Sequence, residues 1–204
     1  VFFFTFPLIF MMVSSFKGSN QQIFSDLRSI RAFLPVGDLT TANYDRVFTD
    51  SNFPRYLLNS ILLAIVAIIL AMIVNSMAAY ALSRLRWRGQ KFILSVIIAT
   101  LIIPGQAVIM PLLLLVSRLP TISFEGGLHI VQGWLDTYYV LVIPFIVSAF
   151  SIFLFYQFFQ DIPKDLDEAA LVDGASRFQI FYRIIVPISS PVFASVAILT
   201  FISA

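Results

Sequence analysis

The sequence predicts an all-α integral membrane protein, a multi-span helical bundle, and three observations carry that prediction. Hydrophobic residues fill 59% of the 204 positions and charged residues only 12%, whereas a soluble domain is nearer half and a quarter. A mean hydropathy of +0.93 excludes a disordered tail and argues against a water-soluble globule. The charges are also gathered into a few stretches, which leaves uncharged intervals long enough to cross a bilayer.

A spanning helix needs roughly 20 apolar residues at about 1.5 Å per residue. Val1–Phe16 is uncharged and apolar from its first residue, and reads as a partial span of a trimmed chain. Lys17–Arg55 mixes charged and polar residues with Pro35 and Gly37, the composition of a small folded loop. Tyr56–Ser83 holds 28 residues without a charge and is the first complete span. After Arg84–Lys91, the 26 uncharged residues of Phe92–Ser117 form the second. Arg118–Asp136 is a second polar segment, with Glu125-Gly126-Gly127 and the single histidine, His129, which takes no role. The 24 uncharged residues of Thr137–Gln160 make the third complete span. Asp161–Pro187 is polar again, and Ile188–Ala204 reads as a second partial span.

Lys and Arg in short loops set the orientation. Arg84, Arg86, Arg88 and Lys91 crowd into eight residues, so 84–91 is expected on the cytoplasmic side. Alternation then puts 17–55 and 118–136 outside and 161–187 inside.

Composition removes several functions. Thirteen basic against eleven acidic residues give +2, too little for a nucleic-acid-binding field. The absence of cysteine excludes disulfides, thiolate zinc sites and a thiol nucleophile. No Asp, Glu, Lys, Arg or His lies inside a span, as a proton relay would require. Walker A, dinucleotide and zinc-helix patterns are missing too. No catalytic residue, metal ligand or cofactor is therefore expected, and uphill work would draw its energy from a partner. The neutral polar residues Asn59, Ser60, Asn75, Ser76, Tyr80, Gln106, Ser148, Ser151 and Gln157 either join helices or line a hydrated path. Pro104 and Pro111, two turns apart, are expected to perturb one side of a single helix.

The segment Asp161–Pro187 reads as two short helices joined at a glycine. Pro163 suits a first helical turn. Asp165, Asp167 and Glu168 favour the positive end of the helix dipole. Gly174 can take the left-handed conformation that stops a helix. Ser176 and Gln179 have capping-box spacing, and Phe178, Phe181 and Ile185 recur on one apolar face. That face must be buried somewhere. Five acids against three bases in this segment disfavour a lipid surface and favour a protein partner.

Glu168-Ala169-Ala170, then Asp173-Gly174-Ala175, then an apolar stretch through Phe178, Phe181 and Ile185 to Pro187 resembles the Glu-Ala-Ala loop of ABC importer permeases. Further stretches resemble the carbohydrate, maltose-permease-like branch: Pro7–Lys17, Ala42-Asn43-Tyr44, Asn59-Ser60, Ala78–Arg84 and Phe158–Pro163. Arg118–Asp136 is longer than that branch usually has, and the chain stops inside the span after the loop, where the family would continue. The resemblance implies a type I importer permease fold in the bacterial inner membrane. It implies a second permease subunit, a cytoplasmic ABC ATPase dimer and a periplasmic or lipid-anchored solute-binding protein as partners. It also makes Glu168, Ala169, Ala170, Asp173, Gly174, Ala175, Phe178, Phe181, Ile185 and Pro187 the ATPase-coupling loop. Uncharged spans favour a neutral solute such as a sugar over a glycerol phosphate, and a polyol remains an alternative. A secondary transporter would want ionisable groups in its spans or a repeated half, and a membrane scaffold would leave the loop unexplained. No residue is assigned to the solute.

Overall fold

The computed structural model describes residues 2–123, 129–135 and 137–203. Glu125, Gly126, Gly127 and Asp136 lie outside the described residues. The contacts divide into two compact units, Val1–Ser60 and Ile61–Ala204.

The first unit begins with helix α1, Phe2–Ser15, followed by α2, Asn20–Asp26, a 3-10 turn at Ile30–Phe33, and α3, Ala42–Thr49. Its polar centre is Lys17, 1% exposed, whose ammonium donates to Asp26 Oδ2 at 2.8 Å and to the Arg31 carbonyl at 2.9 Å. The Asn43 amide donates to the carbonyls of Ser15 and Lys17 at 3.0 and 2.9 Å, so the chain on both sides of the buried lysine is fixed. A buried ammonium without such partners would cost several kcal/mol, roughly, in desolvation. Phe33 stacks on Phe6 and Phe10 from α1. The polar segment 17–55 is thus folded around Lys17 and against α1.

Helix α4, Phe53–Ser83, runs unbroken for 31 residues and is the one described helix long and apolar enough by itself to cross a membrane. The next uncharged interval holds two helices, α5, Gln90–Thr100, and α6, Gly105–Val116, bent by 101°. The expected single perturbed helix is therefore corrected to two. Pro104 lacks an N–H and stands at the N-cap of α6 in extended conformation (φ −65°, ψ 132°), and a proline also drives the residue before it out of helical geometry. Pro111 lies inside α6 without breaking it.

An antiparallel hairpin follows, β1, Pro120–Ser123, with β2, His129–Gln132, in register Pro120↔Gln132 to Ser123↔His129. These are the only strands among the described residues. Gly133 at φ 96° and the Trp134 indole bond to the Pro120 carbonyl (3.0 Å) close its base.

The third uncharged interval is also broken. Helix α7, Tyr138–Val142, passes through a 3-10 turn at Ile143–Phe145 and bends 41° into α8, Ala149–Asp161. The break frees backbone groups, and Asn75 of α4 takes them up. Its amide nitrogen donates to the Ile146 carbonyl at 2.8 Å, and its oxygen accepts from the Ser148 N–H at 3.0 Å. In lipid such groups need a protein partner, because no water is at hand. The glue reading of Asn75 is the one its geometry fits.

Helices α9, Asp165–Val172, and α10, Arg177–Ile180, occupy the polar segment. A π turn at Phe181–Ile185, the short α11, Val186–Ile188, and α12, Ser190–Ser203, complete the chain. The π turn stands directly before Pro187. A proline inside a helix removes a hydrogen bond and crowds the carbonyl four residues back, and a widened turn accommodates both. The axis then bends by 80° at the buried Ser189. The core of this unit joins Ala79, Tyr80 and Leu82 of α4 to Ile152, Phe155 and Phe159 of α8, Phe181 and Ile185 of the π turn, and Val192 and Val196 of α12.

Replacing Asn75 with Val, close in size but without the amide, should destabilise the protein by about 1–2 kcal/mol. Unfolding by titrated denaturing detergent would register this as a lower midpoint. An unchanged midpoint would mean the broken helix is satisfied otherwise.

Candidate functional site: the segment between α8 and α12

Three local devices shape this segment. The first is the stop of α9. Asp173 is its C-cap, Gly174 follows at φ 80°, the Gly174 N–H reaches the Leu171 carbonyl (3.1 Å), and the Ala175 N–H reaches the Ala170 carbonyl (2.9 Å). These paired bonds define a Schellman motif, which gives a physical reason for the spacing of Ala170, Asp173, Gly174 and Ala175. A Cβ added to Gly174 would meet no atom within 4 Å, so the demand for glycine comes from the backbone angle alone.

The second device is the start of α10. Ser176 Oγ accepts from the Gln179 N–H at 3.3 Å, and Gln179 Oε1 accepts from the Ser176 N–H at 2.7 Å. The capping box expected from the sequence is present. Pro163, expected in the first turn of α9, instead precedes Lys164, the N-cap of that helix.

The third device is a buried arginine. Arg84, one residue past the end of α4, has a side chain only 1% exposed. Its Nη1 donates to Asp167 Oδ2 at 3.2 Å. Its Nη2 donates to the carbonyls of Phe159 and, at 2.6 Å, Ile162. Those carbonyls close the C-terminus of α8, where helix geometry leaves acceptors unpaired and the dipole is negative. Asp167 is in the first turn of α9. One guanidinium therefore holds the end of α4, the end of α8 and the start of α9. The Tyr80 hydroxyl adds a fourth point by donating to the Arg177 carbonyl at 3.1 Å.

The end of α4 is itself capped by the segment that follows it. The Trp87 indole donates to the Ala81 carbonyl (3.0 Å), and the Gln90 amide donates to the Leu82 carbonyl.

The ten residues singled out in the sequence fall into three groups. Ala170, Phe181 and Ile185 are buried, the last two against α4, α8 and α12, with the Tyr80 and Phe181 rings 5.1 Å apart. Gly174 and Ala175 form the turn, and Pro187 lies beyond the π turn. Glu168, Ala169, Asp173 and Phe178 are exposed. The expected apolar face of Phe178, Phe181 and Ile185 is thus divided. Phe181 and Ile185 point into the protein's own core beside the buried Ile180, while Phe178, 61% exposed, lies at the edge of that face with its ring 5.5 Å from Tyr182 and 6.4 Å from Phe181. Val172 (87% exposed), Leu171 and Leu166 extend the exposed apolar surface.

Sequence reasoning missed Arg84 and Asp167 as partners. In the sequence Arg84 reads as one of the topology-setting cations and Asp167 as one of the dipole acids. The available signal was position, since Arg84 directly follows an uncharged span with no polar spacer.

Residues 67–204 match the model of a family described as the binding-protein-dependent transport system inner membrane component. The chain belongs to that family. It is 35% identical over 98% of its length to a trehalose/maltose transport system permease protein of Thermococcus litoralis. It is 32% identical over 96% of its length to a diacetylchitobiose uptake system permease protein of Streptomyces coelicolor. It spans 66% and 59% of those two proteins. Among solved structures, it is similar to a chain of a bacterial ABC transporter involved in the import of the acidic polysaccharide alginate. That similarity has a TM-score of 0.79 and 27% identity, and covers 98% of this chain and 64% of that one. The protein is an integral inner-membrane component with the all-α fold of these permeases, and its relatives bear the names of carbohydrate permeases.

Arg84→Met should destabilise the protein by about 3–5 kcal/mol, because it strands a buried carboxylate. Adding Asp167→Leu should recover part of that loss, the two carbonyls of α8 remaining unpaired. Thermal unfolding of the two variants in detergent separates these outcomes; equal losses would mean the pair is not coupled.

Proposed function

We propose that this chain is the permease subunit of an ATP-driven importer for a sugar or a related neutral solute. It forms part of the translocation path, and a cytoplasmic ABC ATPase acts on it through Glu168–Pro187. A solute-binding protein delivers the solute from outside, and a second permease subunit completes the path. The subunit performs no hydrolysis of its own. Segments 84–91 and 161–187 face the cytoplasm, and the uncharged intervals, bent or straight, lie in the membrane.

The observation that carries this reading is the mechanical character of the segment. A loop that relays force must be stiff inside, fastened to what it moves, and apolar where it is gripped. The Schellman stop at Gly174 and the capping box at Ser176 supply the stiffness. Arg84, Tyr80 and the buried Phe181 and Ile185 supply the fastening. Phe178, Val172 and Leu171 form the exposed apolar surface, and a largely desolvated aromatic is the usual anchor of such a contact. The expected role of Phe181 and Ile185 is refined accordingly: they hold the loop to its own subunit, and Phe178 meets the ATPase. Glu168 and Asp173 border that contact. The carbohydrate names of two relatives and the absence of ionisable groups from the uncharged intervals support a neutral solute.

Gly174→Val places a β-branched residue at φ 80° and should cost about 1–3 kcal/mol locally. In the assembled importer, the expected result is normal membrane insertion with solute uptake abolished. Normal uptake by that variant in a fully assembled complex would refute the coupling role.

A further inference from the structure

A cleft of about 620 Å³ opens beside the Arg84–Asp167 pair, between the end of α4, the start of α5, the end of α8 and α9. Its lining carries Arg86 and Lys91 from one polar segment and Lys164 and Arg177 from the other. All four are exposed, and among the described residues none has an ion-pair partner. Glu168 is the one acid on the wall not already paired with Arg84. The positive-inside tendency accounts for Arg86 and Lys91 in a short loop. It gives no reason for Lys164 and Arg177, some 80 residues away, to border the same cleft.

The rest of the wall is mixed, with apolar side chains interleaved with Ser83, Gln90 and Gln160. Leu85 lies in the segment after α4, Leu94 on α5 and Tyr156 on α8, the last two on helices that enter the apolar intervals. Trp87, 43% exposed, stands in the same polar segment as Arg86, as aromatic residues do at a membrane–water boundary. Four cations without an ion-pair partner beside a partly apolar wall suit an amphiphilic anion. Basic pockets between membrane helices on the cytoplasmic side bind phospholipid headgroups through the same combination.

We propose that this cleft binds the headgroup of an anionic phospholipid of the inner leaflet. The phosphate is held by Arg86, Lys91, Lys164 and Arg177, and the upper acyl chain lies along Leu94 and Tyr156. The lipid bridges the segment after α4 to the start of α9, and so braces the Arg84 junction from its open side. The proposal rests on the cytoplasmic placement of both segments given above. That placement is tested separately, by labelling an Arg88→Cys variant from either side of sealed vesicles.

The test uses the full-length subunit, alone and in its assembled complex, with phosphatidylglycerol, phosphatidylcholine and inorganic phosphate as probes and native mass spectrometry as readout. The expected result is retention of phosphatidylglycerol in preference to phosphatidylcholine. Removing three charges, Arg86→Gln, Lys91→Gln and Lys164→Gln, should weaken that preference by about 100-fold, roughly fivefold per charge. Inorganic phosphate at millimolar concentration should fail to displace the lipid. Equal retention of both lipids, an unchanged preference in the triple variant, or displacement by inorganic phosphate would each overturn the proposal. Loss of the lipid on assembly with the ATPase would also overturn it and assign the cleft to the protein partner. If the triple variant does not fold, single Lys164→Gln and Arg177→Gln variants should each show a several-fold loss, and no loss in either would refute the site.

Discussion

Taking the Arg84 guanidinium out of water is the constraint on which the segment between α8 and α12 depends. A buried arginine costs several kcal/mol unless its donors are met by charge and by carbonyl oxygens in good geometry. Here the partners come from places far apart in sequence: Asp167 on α9 and the closing carbonyls of α8. Pairing the two terminal nitrogens of one side chain therefore fixes three elements against one another, while Arg84 Nε and Asp167 Oδ1 stay unpaired. The dipoles assist, since the guanidinium meets the negative end of α8 and its carboxylate partner stands at the positive end of α9.

The same logic recurs at Asn75. Where α7 gives way to α8, the freed backbone groups at Ile146 and Ser148 are taken up by one amide of α4. A broken helix and a buried polar side chain are each costly in an apolar surrounding, and together they become a specific joint. Helix α4 thus holds α8 twice, near its start through Asn75 and at its end through Arg84. The aromatic contacts of Phe155 with Phe159 and Phe193 fill the space between α8 and α12. A pull on α9 or α10 consequently has a short covalent and hydrogen-bonded route into α4, α8 and α12.

Much of this was legible in the chain because it obeys local rules. Uncharged intervals marked the apolar helices, Gly174 marked a helix stop, and Ser176 with Gln179 marked a helix start. The bends were harder to read. Pro104 and Pro111 look alike in sequence, yet one stands at the N-cap of α6 and the other is absorbed within that helix. The π turn before Pro187 also escaped prediction. Phe178 faces out although Phe181 and Ile185 face in, because the buried Ile180 sets the core-facing side of α10. The pairing of Arg84 with Asp167 spans 83 residues and leaves no periodic trace. Long-range polar contacts of that kind are set by tertiary structure and cannot be recovered from spacing.

Held at Arg84, α9 moves as one body with the end of α4. Spin labels on the exposed sites Asp165 and Arg88, in the assembled importer, measure this directly by pulsed dipolar spectroscopy. The inter-label distance should stay constant between nucleotide-free and ATP-bound complexes, even as distances to the ATPase change. A shift of several ångströms on ATP binding would show that the Arg84 junction yields under load, and the account would fail.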